Sequence, residues 1–144
     1  MIVSEIMTRD VKMVTPMDTV RHAAQLMDEL NVGALPVCNG RQLVGMITDR
    51  DITVRATAAG KGPEVTCISD VMSNDLIWCF ETDDVKQVVQ KMSDAQVRRI
   101  PVIGVNNELV GIVSLGDLAT DNAPGTATAL KKISEPSEPN LQPN

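Results

Sequence analysis

The chain has 144 residues, a formal net charge of −6 and hydrophobic residues at 43% of its positions. This length suits one compact domain or two small repeated halves, and the composition is too apolar for a wholly disordered protein. Aromatic residues make up only 1% of the chain, and acidic residues outnumber basic ones. We therefore expect no nucleic-acid partner, because nucleic-acid binding uses a basic face and stacking aromatic rings.

The three cysteines, Cys38, Cys67 and Cys79, are widely spaced and form no C-x-x-C pair. This pattern argues against a disulfide framework and against a common zinc site, and it fits a reducing compartment. No apolar run approaches the roughly 20 residues that a membrane-spanning helix needs, and the first residues lack the apolar stretch of a signal peptide. We expect a cytoplasmic protein with no membrane partner.

An internal repeat becomes visible when the sequence is compared with itself at a shift of 65 residues. The matched segments are residues 3–7 with 68–72, 36–37 with 101–102 and, after one inserted residue, 43–48 with 109–114. We expect residues 1–60 to form the first repeat, 61–67 a linker and 68–120 the second repeat. Residues 121–144 hold four of the eight prolines, which predicts a disordered tail in which 127–133 can form a short helix.

Each repeat changes from helical to strand-like hydrophobic spacing along its length. In the first copy Val20, Ala23 and Met27 recur at helical spacing, with Asp18 or Thr19 as a possible N-cap. Two short apolar runs follow, separated by a turn rich in Gly and Asn, and the second copy repeats this order. The pattern predicts an α/β (α+β) fold in which the two copies bury their sheets and helices against each other.

In both copies the last strand ends on a hydroxyl residue that is followed three positions later by an aspartate. These pairs are Thr48 with Asp51 and Ser114 with Asp117. One interpretation is helix capping by the hydroxyl and the acidic third residue. The other is functional, because a helix amino terminus can bind a phosphate and a carboxylate there can accept hydrogen bonds from both ribose hydroxyls. The pattern alone leaves both interpretations open.

With these motifs the sequence resembles a tandem pair of cystathionine-β-synthase (CBS) domains, often called a Bateman module. The resemblance covers residues 3–120 and rests on Gly33-Ala34-Leu35-Pro36-Val37 and Arg98-Arg99-Ile100-Pro101-Val102, each followed by the strand that leads into the Thr48 or Ser114 motif. It implies two βαββα repeats about a pseudo-twofold axis, with clefts between the repeats that bind adenosine nucleotides. It also implies a homodimer, and we expect a stand-alone member of the family.

The resemblance assigns a role to each matching residue. Asp51 and Asp117 match the carboxylates that hold the ribose, and Thr48 and Ser114 match residues near the phosphate. In the segment before the first helix, Glu81 of the second copy replaces Pro16 of the first. The complete set of expected nucleotide-binding residues is Val14, Thr15, Pro16, Gly33, Ala34, Leu35, Pro36, Thr48, Arg50, Asp51, Arg98, Arg99, Ile100, Pro101, Ser114, Gly116 and Asp117.

Two arginines distinguish the copies, because Arg98 and Arg99 occupy the places of Gly33 and Ala34. In the family this segment of one repeat leans toward the phosphates bound by the other, so the resemblance implies that the Asp51 cleft receives both arginines. Guanidinium groups bind phosphate through paired, charge-assisted hydrogen bonds. The alternative is that the two arginines only balance an acidic surface.

We therefore predict a regulatory module that binds AMP, ADP, ATP or an NAD-type nucleotide and acts by changing its shape or association. We expect no catalytic residues, catalytic cofactor or metal, and the sequence identifies no downstream protein partner. One alternative is an interaction protein with degenerate clefts, or with a metal bound through cysteine and His22. The other is a small nucleotide-processing or redox enzyme that uses Cys38 or Cys79.

Overall fold

The computed structural model describes residues 1–120 and 124–135 and divides the chain into two compact units. The repeat-1 unit comprises Asp10–Leu76 and Gly104–Leu109. The repeat-2 unit comprises Met1–Arg9, Ile77–Ile103 and Val110–Asn144. Each unit therefore draws its residues from separate parts of the chain.

The repeat-1 unit contains one helix, two strands and a π-helix in chain order. These are α1 (Val20–Leu30), β1 (Ala34–Asn39), β2 (Gln42–Thr48) and the π-helix Asp51–Thr57, with a 3-10 turn at Ile68–Asp70. The Thr19 hydroxyl accepts a hydrogen bond from the His22 N–H and caps α1, and Asn31 ends the helix in the left-handed conformation. Strands β1 and β2 pair antiparallel from Ala34 opposite Thr48 to Asn39 opposite Gln42.

The repeat-2 unit repeats this order and adds a short strand at its start and a helix at its end. Its elements are the 3-10 turn Val3–Glu5, β3 (Cys79–Phe80), α2 (Val85–Ala95), β4 (Arg99–Ile103), β5 (Leu109–Ser114), α3 (Leu115–Thr120) and α4 (Thr126–Ser134). A further 3-10 turn, Val105–Asn107, precedes β5 in the chain and belongs to the repeat-1 unit. Strand β3 pairs parallel with β4 in a sheet of order β3-β4-β5. Asp84 and Gln87 form a capping box at the start of α2.

The two leading segments, residues 1–9 and 68–76, are exchanged between the repeats. The Val3 N–H donates to the Asp83 carbonyl at 3.0 Å, and the equivalent Ile68 N–H donates to the Asp18 carbonyl at 2.8 Å. A Cβ added at Gly111 would lie 2.7 Å from the sulfur of Met7, and one at Gly45 would lie 2.8 Å from the sulfur of Met72. Backbone atoms lie almost as close, because the same Cβ atoms would meet the Thr8 carbonyl oxygen at 2.8 Å and the Ser73 carbonyl oxygen at 3.0 Å, so both positions favour glycine. Each leading segment thus packs into the unit of the other repeat. The repeat boundaries themselves stay a prediction.

Each unit has its own hydrophobic core, to which the exchanged segment contributes. In the repeat-1 unit Ile68 and Val71 join Val20, Val37 and Ile47. In the repeat-2 unit the leading segment contributes Val3 and Met7 to a cluster that also holds Val88, Met92, Ile100 and Leu118. Because a single copy of this size is marginal, the added apolar side chains help each unit to reach a stable core.

The described part of the tail contains helix α4. Its Ala129 is buried against the repeat-2 core, and Ile133 packs on the same cluster. The short helix allowed by the sequence at 127–133 is therefore present. The rest of the predicted disordered tail, at 121–123 and 136–144, lies outside the described residues.

Candidate functional site

The duplicated Thr–Asp and Ser–Asp motifs form two matching capping boxes. The Thr48 N–H donates to Oδ2 of Asp51 at 2.9 Å, and the Asp51 N–H donates back to Oγ1 of Thr48 at 3.0 Å. The Ser114 N–H donates to Oδ2 of Asp117 at 2.9 Å, and the Asp117 N–H donates to the Ser114 hydroxyl oxygen at 3.1 Å. The capping interpretation is thus present in the geometry of both repeats.

This geometry uses only part of what each motif can offer to a ligand. Asp51 gives Oδ2 to the cap, and its other oxygen, Oδ1, lies 3.8 Å from Nε of Arg55, with the Asp51 side chain 13% exposed. Within residues 1–120 and 124–135, Oδ1 of Asp117 accepts no hydrogen bond. The Thr48 and Ser114 hydroxyls act as acceptors in the cap, so each still has a proton to donate. Each turn can therefore cap its helix and bind a polar ligand at the same time.

The segments expected to hold the base start beside these turns. The Asp49 N–H donates to the Gly33 carbonyl at 2.9 Å, and the Leu115 N–H donates to the Arg98 carbonyl at 2.8 Å. Gly33, Arg98 and Arg99 are exposed and Ala34 is half-buried. The apolar members of the two segments, Leu35, Pro36, Ile100 and Pro101, are buried. The structure thus brings each expected base segment to the capping box of its own repeat.

The segment before each helix pairs with the first long strand of its repeat. The Val14 N–H donates to the Pro36 carbonyl at 3.0 Å, and the Cys38 N–H donates to the Val14 carbonyl at 2.8 Å. Val14 is buried, Thr15 is exposed and Pro16 is half-buried. The main chain makes the same hydrogen bond at Pro16 and at Glu81, its counterpart in the second repeat. The Pro16 carbonyl accepts the Ser69 N–H at 3.0 Å, and the Glu81 carbonyl accepts the Ser4 N–H at 3.0 Å.

Two aspartates that the sequence interpretation did not assign to the site hold these segments in place. Oδ2 of Asp18 accepts the Thr15 N–H at 2.9 Å, and Oδ2 of Asp83 accepts the Phe80 N–H at 2.9 Å. The sequence contains a sign of this shared role, because Asp18 and Asp83 occupy equivalent positions in the internal repeat. They fix the main chain ahead of each helix and so position the neighbouring Thr15 and Phe80.

The two turns carry different residues between the hydroxyl residue and the aspartate, Arg50 in the first repeat and Gly116 in the second. Arg50 and its counterpart Gly116 are both exposed. The Arg50 N–H is satisfied by its neighbour, donating to Oδ1 of Asp49 at 2.8 Å. A Cβ at Gly116 would lie 3.6 Å from the Ser114 hydroxyl, an ordinary contact, so the turn itself does not require glycine there.

The thiols of Cys38 and Cys79 are poorly suited to nucleophilic chemistry. Burial raises the pKa of Cys38 to about 11. Burial, followed by the charge of Asp83, raises the pKa of Cys79 to about 12. Because these pKa values are far above neutral pH, both thiols are almost entirely protonated there. The thiolate is the reactive form of cysteine, so neither group is an effective nucleophile. These properties argue against the redox-enzyme alternative.

The described residues provide neither a cluster that could hold a metal ion nor a helix that could span a membrane. His22 is exposed on α1. In the described ranges no group of three or more His, Cys, Asp or Glu side chains could hold a metal ion. Among the helices described, none is long and apolar enough to cross a membrane.

Comparison with known families identifies the fold and its duplication. The model of the CBS domain matches residues 3–56 and 68–121, more than half of the chain. The chain therefore belongs to the CBS-domain family, and the predicted α/β (α+β) tandem CBS architecture is confirmed. The CBS domain-containing protein YhcV of Bacillus subtilis is 44% identical over 119 residues, which span 83% of this chain and 84% of that protein.

Solved structures that are similar to this chain include a CBS domain pair. A crystal structure of hypoxic response protein I with two coordinated zinc ions has a TM-score of 0.77 and 35% identity, and the match covers 83% of this chain and 98% of that chain. The CBS domain pair of protein MJ0100, in complex with 5′-methylthioadenosine and S-adenosyl-L-methionine, has a TM-score of 0.74 and 27% identity, covering 85% of this chain and 95% of that chain.

Proposed function

We propose that this protein is a regulatory module that binds adenosine-containing ligands at its two capping-box turns. The observation that carries the proposal is the duplicated turn, in which Asp51 and Asp117 each use Oδ2 for the cap and leave Oδ1 outside it. A carboxylate oxygen in this position can accept hydrogen bonds from ribose hydroxyls. The adenosine-type ligands of the MJ0100 CBS pair support the same ligand class.

The second part of the proposal concerns the phosphate. The Thr48 and Ser114 hydroxyls have a proton to donate, and Arg98 and Arg99 are exposed next to the base segment. These groups favour AMP, ADP, ATP or an NAD-type nucleotide over a neutral nucleoside, because charge-assisted hydrogen bonds to phosphate are stronger than neutral ones. The Arg98–Arg99 pair has no counterpart at Gly33 and Ala34, so the two sites differ in phosphate affinity.

The module acts without catalysis. A bound nucleotide can bias the conformation or the association of the protein only through unequal affinity for the available states. We place this function in the cytoplasm, in keeping with three free thiols.

Calorimetric titration tests the ligand class. AMP, ADP, ATP and NAD are expected to bind more tightly than GMP and CMP. Arg99→Ala should weaken AMP more than adenosine, and this difference should shrink as salt is raised, because screening reduces charge attraction. Lys61→Ala, which removes an exposed cation elsewhere in the chain, is the control. Equal binding of all the bases would contradict adenine selectivity, and equal losses for AMP and adenosine would contradict the role of Arg99.

A homodimer is part of the proposed assembly. Light scattering of the full chain should give twice the mass of one chain at micromolar concentration, with or without AMP. A strict monomer at high concentration would contradict the assembly, while leaving the titrations above free to support nucleotide binding.

A further inference from the structure

The turn between β1 and β2 contains the one Asn-Gly pair of the sequence, Asn39-Gly40. Asn39 is the last residue of β1 and pairs with Gln42, so Gly40 and Arg41 form a two-residue hairpin turn. Gly40 has a φ of 64°, a left-handed conformation that glycine adopts without strain. All four residues are exposed. The turn therefore presents an asparagine side chain and the peptide group that follows it to solvent.

Two groups of this turn that can react with each other are both free of partners in the protein. Within residues 1–120 and 124–135, the side-chain amide of Asn39 makes no hydrogen bond, and neither does the main-chain N–H of Gly40. A Cβ built on Gly40 would meet no described atom within 4 Å. Since Gly40 also has no side chain of its own, its nitrogen is open to attack the carbon Cγ of Asn39.

Asn31 gives an internal contrast, because it is also exposed but is followed by a valine. The Val32 N–H donates to the Met27 carbonyl at 3.1 Å, so this nitrogen is held at the end of α1. The branched side chain of Val32 also crowds the nitrogen. A reaction that needs a free and unhindered peptide nitrogen after asparagine is therefore favoured at Asn39 and disfavoured at Asn31.

The position of Asn39 in the sheet gives the reacting atoms room to meet. Its pair with Gln42 is the last pair of the β1–β2 ladder. Pairs at the end of a ladder open locally more readily than pairs inside it. Opening of this one pair lets the Asn39 side chain turn back toward the Gly40 nitrogen while the rest of the ladder stays formed.

We propose that Asn39 is a site of spontaneous deamidation. A bond forms between the Gly40 nitrogen and Cγ of Asn39, and the Cγ–Nδ2 bond breaks as ammonia leaves with the Gly40 amide proton. Water then opens the cyclic succinimide at either of its carbonyl carbons. One opening gives aspartate, and the other gives isoaspartate, in which the main chain runs through the former side chain. One water is consumed and one ammonia is released, with no oxidation or reduction.

The two products differ in their effect on the repeat-1 unit, because the turn also contacts residues 105–109 of that unit. The Leu109 N–H donates to the Arg41 carbonyl at 2.9 Å, and Gln42 forms an isolated bridge with Glu108. Isoaspartate adds one atom to the main chain just before Gly40 and so shifts Arg41 relative to β1. We expect the bond from Leu109 to weaken in the isoaspartate form, whereas aspartate adds only a negative charge.

Peptide mass spectrometry tests the site on the full folded chain, kept in neutral buffer at body temperature for several weeks. The peptide that contains Asn39 should gain the mass of an amide-to-acid conversion. Fragmentation should show both aspartate and isoaspartate, since direct hydrolysis of the side chain gives aspartate alone. The Asn31 peptide of the same sample should keep its mass. Asn39→Gln, which keeps an exposed amide but needs a larger ring, should lose the conversion.

A synthetic peptide of residues 36–43 is the unfolded reference for these conditions. If this peptide converts and the folded chain does not, the hairpin protects Asn39 and the proposal is overturned. Formation of aspartate without isoaspartate would overturn the succinimide route. None of these measurements depends on nucleotide binding, so their outcome is independent of the proposed function.

Hydrogen exchange then tests the structural consequence. The isoaspartate form, separated by ion-exchange chromatography, is compared with Asn39→Asp, which carries the same charge on an unaltered main chain. The Leu109 amide should lose protection in the isoaspartate form and keep it in Asn39→Asp. Equal protection in the two proteins would contradict the effect of the longer main chain on residues 105–109.

Discussion

At the scale of single residues, the aspartates of the two turns cap their helices, and the proposed function gives the same side chains a ligand to bind. Oδ2 of Asp51 holds the Thr48 N–H, while the side chain stays partly exposed. The sequence left capping and ribose binding as alternatives, because residue type and spacing are the same for both. The geometry makes them compatible, since one oxygen of each carboxylate serves the cap. Under the proposed function, a substitution that removes both carboxylate oxygens of Asp51 changes stability and affinity together, whereas one that keeps an oxygen only for the cap changes affinity alone.

Two substitutions at Asp51 separate these roles. Asp51→Ala should lower the free energy of unfolding by about 1 kcal/mol, because the Thr48 N–H loses its acceptor. Asp51→Asn should lower it by less than about 0.5 kcal/mol, since the amide oxygen can still accept that bond. Urea denaturation at pH 7 measures both, with Asp75→Ala, an exposed aspartate, as the control. Equal losses for the two variants would argue against the capping geometry.

At the scale of elements, α4 shows how polar contacts can fix a short helix within a segment whose composition predicts disorder. The side-chain amide of Gln96 donates to the carbonyls of Lys132 and Glu135, at 3.0 and 3.1 Å, and so caps the end of α4. Lys132 also pairs with Asp94, whose pKa is lowered by its hydrogen bond from Gln90 and then by that from Lys132. The proline-rich tail predicted disorder because its local composition contains no information about these partners on α2.

Replacing Gln96 by asparagine tests this anchor. Asn31 occupies the equivalent position in the first repeat with the same φ of 55°, so Gln96→Asn keeps a residue suited to the left-handed conformation. The shorter side chain cannot reach both carbonyls. Amide hydrogen exchange within 129–134 should accelerate by about tenfold, with α2 unchanged. Unaltered protection of α4 would show that Gln96 is not its anchor.

At the scale of the whole molecule, the sequence predicted the duplicated architecture and both candidate turns, because the internal repeat carries them. It did not predict the exchange of the leading segments. Val3 and Ile68 are equivalent and both apolar, so periodicity gives no reason for either to pack into the other repeat's core. That choice depends on tertiary contacts such as Met7 against Gly111 and Met72 against Gly45.

The central claim is that two carboxylates, one in each repeat, bind the ribose of an adenosine-containing ligand. Its most direct test compares adenosine with 2′,3′-dideoxyadenosine by calorimetry, in wild type and in the double variant Asp51→Asn, Asp117→Asn. The account predicts that wild type binds adenosine at least about tenfold more tightly, from two hydrogen bonds to a charged acceptor, and that the double variant loses this preference while staying folded. The same preference for adenosine in both proteins would contradict the account.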